Sequence, residues 1–225
     1  MKKAGSIILI IALVFVIIGN IMYWGAKIYK HAKGDEINAD IGNYDYIVNG
    51  DVNSIKLEAR FAHVEIHVSN TFSCTFENVD LSGSSVEEVD GVLNIKAVNY
   101  ENMRVFGWDI GNAVDPETIS KVVLYVPEPV FYNTTVDVGS GSITIDRLKT
   151  GNLVMQLGVG TISILDMQAD NGIIQVGTGS VSIDSLTSDS FEIKNGAGVI
   201  KVNQAAPDKR SIDRFGVGLD INVNE

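Results

Sequence analysis

His63, Glu65 and His67 alternate along one short stretch, and imidazole nitrogens with a carboxylate are common zinc ligands. On a regular strand, same-face neighbours lie about 6.7 Å apart, so His63 and His67 are about 13 Å apart. One ion with bonds of about 2 Å does not bridge that gap. The trio therefore reads as a solvated polar face. His31, the only other histidine, stands beside a long apolar run and supplies no third ligand.

Two other patterns could hold ligands. Asp146 and Asp184 suggest stacked calcium-binding repeats, which need a continuous carboxylate column. Leu165 and Asn203 interrupt that column. Ser142, Thr161 and Ser180 form one hydroxyl column, and Thr144, Ser163 and Ser182 another. Such an array could meet glycan or ice, but Val199 and Lys201 break both, and a soluble β face explains them as well.

Cys74 is the only cysteine, which excludes an internal disulfide framework and a multi-cysteine zinc site. It alternates with Phe76 and reads as a buried small hydrophobe rather than a nucleophile. No Gly-x-Ser-x-Gly elbow, phosphate loop or His-Glu-x-x-His motif is present. Glycan-cleaving solenoids need clustered acids, and the acids here are scattered. The expectation is no catalytic residue, no metal and no cofactor.

The elements that carry these residues follow from a repeat. Gly139/Gly141, Gly158/Gly160, Gly177/Gly179 and Gly196/Gly198 are pairs that recur every 19 residues. Ile143, Ile162, Val181 and Ile200 keep the same step, as do Val136, Met155, Ile174 and Ile193. Leu148, Met167 and Leu186 form a further column. Exact apolar columns at a fixed period indicate a stacked architecture. Within a repeat, Leu153, Met155 and Leu157 alternate, then Ile162 and Ile164 alternate in the opposite phase. An unbroken strand cannot change phase without turning its core face outward, so the chain bends at each glycine pair. Glycine accepts the positive φ of such a corner. On this basis Gly177→Val is expected to be damaging. One coil alone buries too little to offset its ordering entropy, so coils must stack about 4.8 Å apart. The alternative, a meander of antiparallel hairpins, requires no exact period.

Residues 4–26 carry no charge and end in Tyr23-Trp24, Gly25 and Ala26. As a helix they span about 34 Å, enough to cross a bilayer. The bulky residues before Ala26 and the length of the run favour an uncleaved anchor over a signal peptide. Lys2 and Lys3 flank one side and Lys27, Lys30 and Lys33 the other, so charge alone sets no orientation. Outside residues 1–33 there are 12 Lys/Arg and 28 Asp/Glu, a balance of −16. That balance lacks the footprint of nucleic-acid binding.

The expected plan is an anchor and basic segment at 1–33, a short stalk at 34–43 and irregular β coils at 44–135. Regular repeats follow at 136–205, with a closing strand at 206–225 that includes Phe215, Val217, Leu219, Ile221 and Val223. Gly216 and Gly218 echo the glycine pairs one residue late, 20 after Gly196 and Gly198. The fold class is all-β, a β-solenoid behind one N-terminal transmembrane helix. Residues 100–120 are the least regular part. They hold Tyr100, Met103, Phe106 and Trp108, either a partner-binding loop or a lid over an open core edge.

The sequence resembles the bacterial putative-adhesin β-strand-repeat family, also called toastrack. The resemblance covers about residues 55–223. It rests on Leu93-Asn-Ile95, on the Val122–Val126 strand closed by Pro127, and on the repeats Val138-Gly-Ser-Gly-Ser-Ile143 and Val176-Gly-Thr-Gly-Ser-Val181. The second and fourth copies depart, with Gly158-Val-Gly160-Thr and Asn195-Gly-Ala-Gly198-Val. The resemblance implies an envelope protein of Gram-positive bacteria, and it transfers no catalytic residue. The reading it supports is a membrane-anchored, non-enzymatic extracytoplasmic module, an adhesin or envelope scaffold. Its partners would be an unknown protein or cell-wall glycan, with the bilayer held through residues 4–26. The alternatives are an envelope-stress sensor that signals through a membrane partner and a glycan-active enzyme.

Overall fold

The computed structural model describes residues 40–98, 104–105, 108–109, 119–127, 131–211 and 219–221. The apolar run 4–26 lies outside them. Among the described residues there is no helix, and none long and apolar enough to cross a membrane. The strands are β1 (Ile41–Ile47), β2 (Ser54–Val68), β3 (Ser73–Asp80), β4 (Ser85–Val89), β5 (Val92–Ala97), β6 (Arg104–Val105), β7 (Trp108–Asp109), β8 (Ser120–Val126), β9 (Phe131–Ser211) and β10 (Leu219–Ile221). The chain divides into two units. The smaller contains the antiparallel pair β6–β7, with Arg104 opposite Asp109 and Val105 opposite Trp108. The other described strands belong to the larger unit.

β9 is 81 residues of continuous strand wound into coils. Its burial pattern shows how. Leu153, Met155 and Leu157 point inward, then Ile162 and Ile164, then Met167 and Ala169. Gly172, Ile174 and Val176 begin the next coil. The inward set changes phase three times per coil, so each coil has three sides and three corners. The sequence alone indicates the glycine corner. The other two fall at Leu165-Asp166 and Asp170-Asn171, where consecutive residues avoid burial and glycine does not recur, Gly151 standing in the Asp170 place one coil earlier.

Stacking at 19 residues is direct in the side chains. Asn152 donates Nδ2–H to Asn133 Oδ1 at 3.0 Å, and Asn171 donates to Asn152 Oδ1 at 3.2 Å. This asparagine ladder runs up one corner and ends where Ser190 takes the next place. Asn152 is its centre, giving one bond and accepting another. Asn152→Ala is expected to lower stability by about 1 kcal/mol, and Asn133→Ala by less, because exposed hydrogen bonds contribute modestly. Thermal midpoints followed by far-UV circular dichroism would check the order.

β2 is the layer beneath the first coil. Ser54 to Ile66 pairs in parallel with Asn133 to Ile145. On its other edge β2 meets two strands in succession, β5 along Ser54–Ala59 and β8 along Ala62–Val68, both parallel. The remaining strands differ from an expectation of further coils. β1 and β8 flank β3 antiparallel, and β4 pairs antiparallel with β5. The reason is connectivity: the chain must reverse to bring β5 and β8 to β2 in the same direction. β1 begins at Ile41, within the stretch expected as stalk, because its residues pair with Ser73–Asp80. At the far end, Leu219 and Ile221 lie opposite Ile200 and Val202. That pairing keeps the 19-residue step, whereas the glycine echo at Gly216 and Gly218 suggests 20. One hydrophobic core runs without a break from Ile55 on β2 to Val202 on β9.

The glycine corners have a specific cause. Positive φ occurs at the second glycine of each pair, Gly141, Gly160, Gly179 and Gly198, at 134–147°. The first glycine has no such φ, so the reason given for Gly177→Val from sequence belongs to Gly179 instead. A Cβ on Gly177 would meet the Gly158 carbonyl oxygen at 2.5 Å, so close backbone approach excludes a side chain there. The first layer supports this account. Its corner is Arg60-Phe61-Ala62, without glycine and without positive φ. β5 ends its pairing at Ala59 and β8 begins at Ala62, so neither pairs with the residues between. At this corner, glycine is needed where the bend rests on the bend of the layer beneath.

Candidate functional site

The outward residues of β2 lie between two parallel neighbours. Register places His63 opposite Lys121 of β8 and Ser142 of β9, and His67 opposite Tyr125 of β8, while Asp146 follows Ile145, the last β9 residue paired with β2. This juxtaposition turns the polar alternation of β2 into a connected network. His67 Nδ1 is 2.6 Å from Asp146 Oδ2, and its Nε2 is 3.0 Å from Glu65 Oε2. Glu65 Oε1 receives the Lys121 ammonium at 3.1 Å. His63 Nδ1 meets the Ser142 hydroxyl at 2.6 Å, and the Tyr125 ring lies 5.8 Å from that of His67.

The result is a chain of alternating charge, Asp146–His67–Glu65–Lys121, across β9, β2 and β8. Ionised carboxylates only accept, so a ring with a carboxylate on each nitrogen satisfies both only by donating from both, and the geometry favours the imidazolium form of His67. Its pKa is raised above the usual 6.5, first by the bond to Asp146 and then by Glu65. The Glu65 carboxyl is lowered, chiefly by His67 and with help from Lys121. The Lys121 ammonium is raised by Glu65. A histidine held charged in this way is a poor general base. The side chains keep roughly 30 % exposure at His67 and Glu65, so water screens the network.

The other sequence candidates fall elsewhere. Asp184 accepts from Asn203 Nδ2 at 2.7 Å, one coil away. Exposed Leu165 occupies the layer between Asp146 and Asp184 in the same column, so the two aspartates do not converge. No group of three or more ligating side chains is arranged for a metal among the described residues. Cys74 is buried, and burial pushes its thiol up to about 12. Tyr100, Met103 and Phe106 lie outside the described residues, and of Trp108 only the strand backbone is described. A groove of ≈ 270 Å³ opens beside the Arg60 corner, lined by Glu58, Arg60, Lys96 and Asp137. It is smaller than the roughly 300 Å³ at which small-molecule pockets begin.

Sequence reasoning missed the His67–Asp146 contact. The two residues are 79 apart, which is not a multiple of 19, so the repeat arithmetic does not align them. It also passed over the asparagine ladder, although Asn133, Asn152 and Asn171 keep the 19-residue step.

Comparison with solved structures finds a putative cell adhesion protein of Clostridium sporogenes, 11% identical, with a TM-score of 0.41 over 82% of this chain and 100% of that one. A putative adhesin of Parabacteroides merdae is 11% identical, with a TM-score of 0.30 over 84% and 98% of the two chains. A putative lipid binding protein of Parabacteroides distasonis is 13% identical, with a TM-score of 0.32 over 82% and 97%. A comparison with curated proteins finds no match. The family model described as Toastrack DUF4097 matches residues 52–214, which begin just before β2 and take in all four glycine corners. The chain belongs to the Toastrack DUF4097 family.

Proposed function

We propose that the chain is a membrane-anchored, extracytoplasmic binding module without enzymatic activity, an adhesin or a scaffold of the cell envelope. The observation that carries the reading is the stack itself. Equivalent outward positions of successive coils form straight columns, as the Asn133–Asn152–Asn171 ladder does. Such a face offers many shallow, repeated contacts to an extended partner, whether a protein or a cell-wall glycan. Residues 4–26 supply a stretch long enough to hold the bilayer. The acidic balance of the rest, −16 from 12 Lys/Arg and 28 Asp/Glu, suits a soluble face rather than nucleic acid.

Within this reading, Tyr100, Met103, Phe106 and Trp108 are the candidates for a local binding patch, because aromatic anchors carry a large share of interface energy. Phe106→Ala/Trp108→Ala is expected to lower retention on isolated cell walls by about tenfold or more, the effect of losing a hot spot of about 2 kcal/mol. Asp184→Asn is expected to leave retention unchanged. Added protease should digest the acidic part in intact cells. Release of glycan fragments by the purified chain, or loss of retention in Asp184→Asn with the fold intact, would sink the reading.

A further inference from the structure

The network on β2 joins three parts of the chain that are far apart in sequence. β8 ends the antiparallel run β1–β3–β8 and joins it to β2 within one sheet, β2 is the founding layer, and Asp146 lies on the first regular coil. We propose that Asp146, His67, Glu65 and Lys121 form a proton-dependent clasp that holds the β1–β3–β8 strands to the repeats, closed while His67 is an imidazolium. The backbone ladder of β2 with β8 and β9 supplies the basic attachment, and the clasp adds to it.

The groups around His67 fix the response to pH. Glu65 and His63 share its strand, Asp146 and Ser142 face it from β9, and Lys121 and Tyr125 from β8. Glu77 on β3 acts further on Lys121. With His67 charged, two cations and two carboxylates balance. Once His67 loses its proton, Glu65 and Asp146 are left with Lys121 as the only cation of the four. His67 has a raised folded pKa, so its contribution is complete below the ordinary 6.5 and is lost as pH rises through the folded value. Glu65 is lowered, so its contribution is complete above the ordinary 4.5 and is lost as pH falls through its folded value. The clasp is therefore complete between those two ordinary values and loosens on either side.

A native probe can test this. Cys74 is the only cysteine in the chain, is buried, and pairs across from Leu124 of β8. Lifting the β1–β3–β8 strands off the core exposes its thiol. Maleimide labelling of the full chain in detergent is expected to run up to about fivefold faster in His67→Gln than in the wild type at pH 6, the range of a screened ion pair. At pH 9, towards which the wild-type ring gives up its proton, that ratio should fall. Lys121→Met cuts the clasp at its other end, so its acceleration should persist at both pH values. His63→Gln should leave the wild-type pH dependence in place. Equal His67→Gln ratios at pH 6 and pH 9, or no acceleration at pH 6, would overturn the clasp. Should His67→Gln fail to fold, the unmutated chain still decides. The Hε1 resonance of His67 must titrate above the ordinary value of 6.5, and titration at or below 6.5 refutes the proposal.

Discussion

Gly179→Ala is expected to destabilise the stack by roughly 3 kcal/mol or more, near the upper end for a single substitution. Two effects act together. The backbone at Gly179 has φ +147°, a conformation that costs an L-residue about 1–3 kcal/mol. The added methyl group would also run into the carbonyl of Gly160 in the coil below, with the carbonyl carbon at 2.8 Å. That carbonyl cannot withdraw, because the Gly160 corner in turn rests on Gly141 in the layer beneath. Gly177→Ala meets a carbonyl but carries no φ strain, so it should cost less. Thr178→Ala, on the exposed residue between them, should fall within about 0.5 kcal/mol of the wild type. Denaturant midpoints of the three variants test the order. A Gly179→Ala protein as stable as Thr178→Ala would refute the account of the corner.

The second large effect is a coupling between coils three and four. Gly172 is buried on an inward position, and Phe191 occupies the equivalent position one coil on. The Phe191 ring lies over Gly172, and a Cβ there would sit 3.0 Å from Cζ and closer still to the ring edge. Glycine here makes room for the aromatic ring. Gly172→Ala alone should cost about 1–3 kcal/mol through overpacking. Phe191→Ala alone should cost about 3–5 kcal/mol through the cavity it leaves. Together the two changes should cost less than their sum, since the new methyl group fills part of that cavity. A double-mutant cycle measures the coupling, and strict additivity would show that the two positions do not share space.

Much of the repeat was written in residue order. The step of 19, the apolar columns and the bend at each glycine pair all follow from local rules: strands alternate with period two, and glycine tolerates positive φ. The two corners without a recurring glycine were not legible. Turns such as Leu165-Asp166 need no special residue, and only the inward or outward state of their neighbours reveals them. The identity of the strained glycine was likewise hidden. Both glycines of a pair look alike in sequence and both meet a carbonyl of the layer below, and only the backbone separates them, with a positive φ at Gly179 and none at Gly177.

The polar site divides in the same way. The sequence by itself determined that His63, Glu65 and His67 share one face of a strand and that Asn133, Asn152 and Asn171 share one column, because period and step are properties of the chain alone. Only the tertiary structure decided that His67 meets Asp146 and that Lys121 reaches Glu65. Those contacts depend on the register of β2 against β8 and β9. Irregular segments intervene, and register there is set by the packing of whole faces rather than by any residue spacing that can be counted.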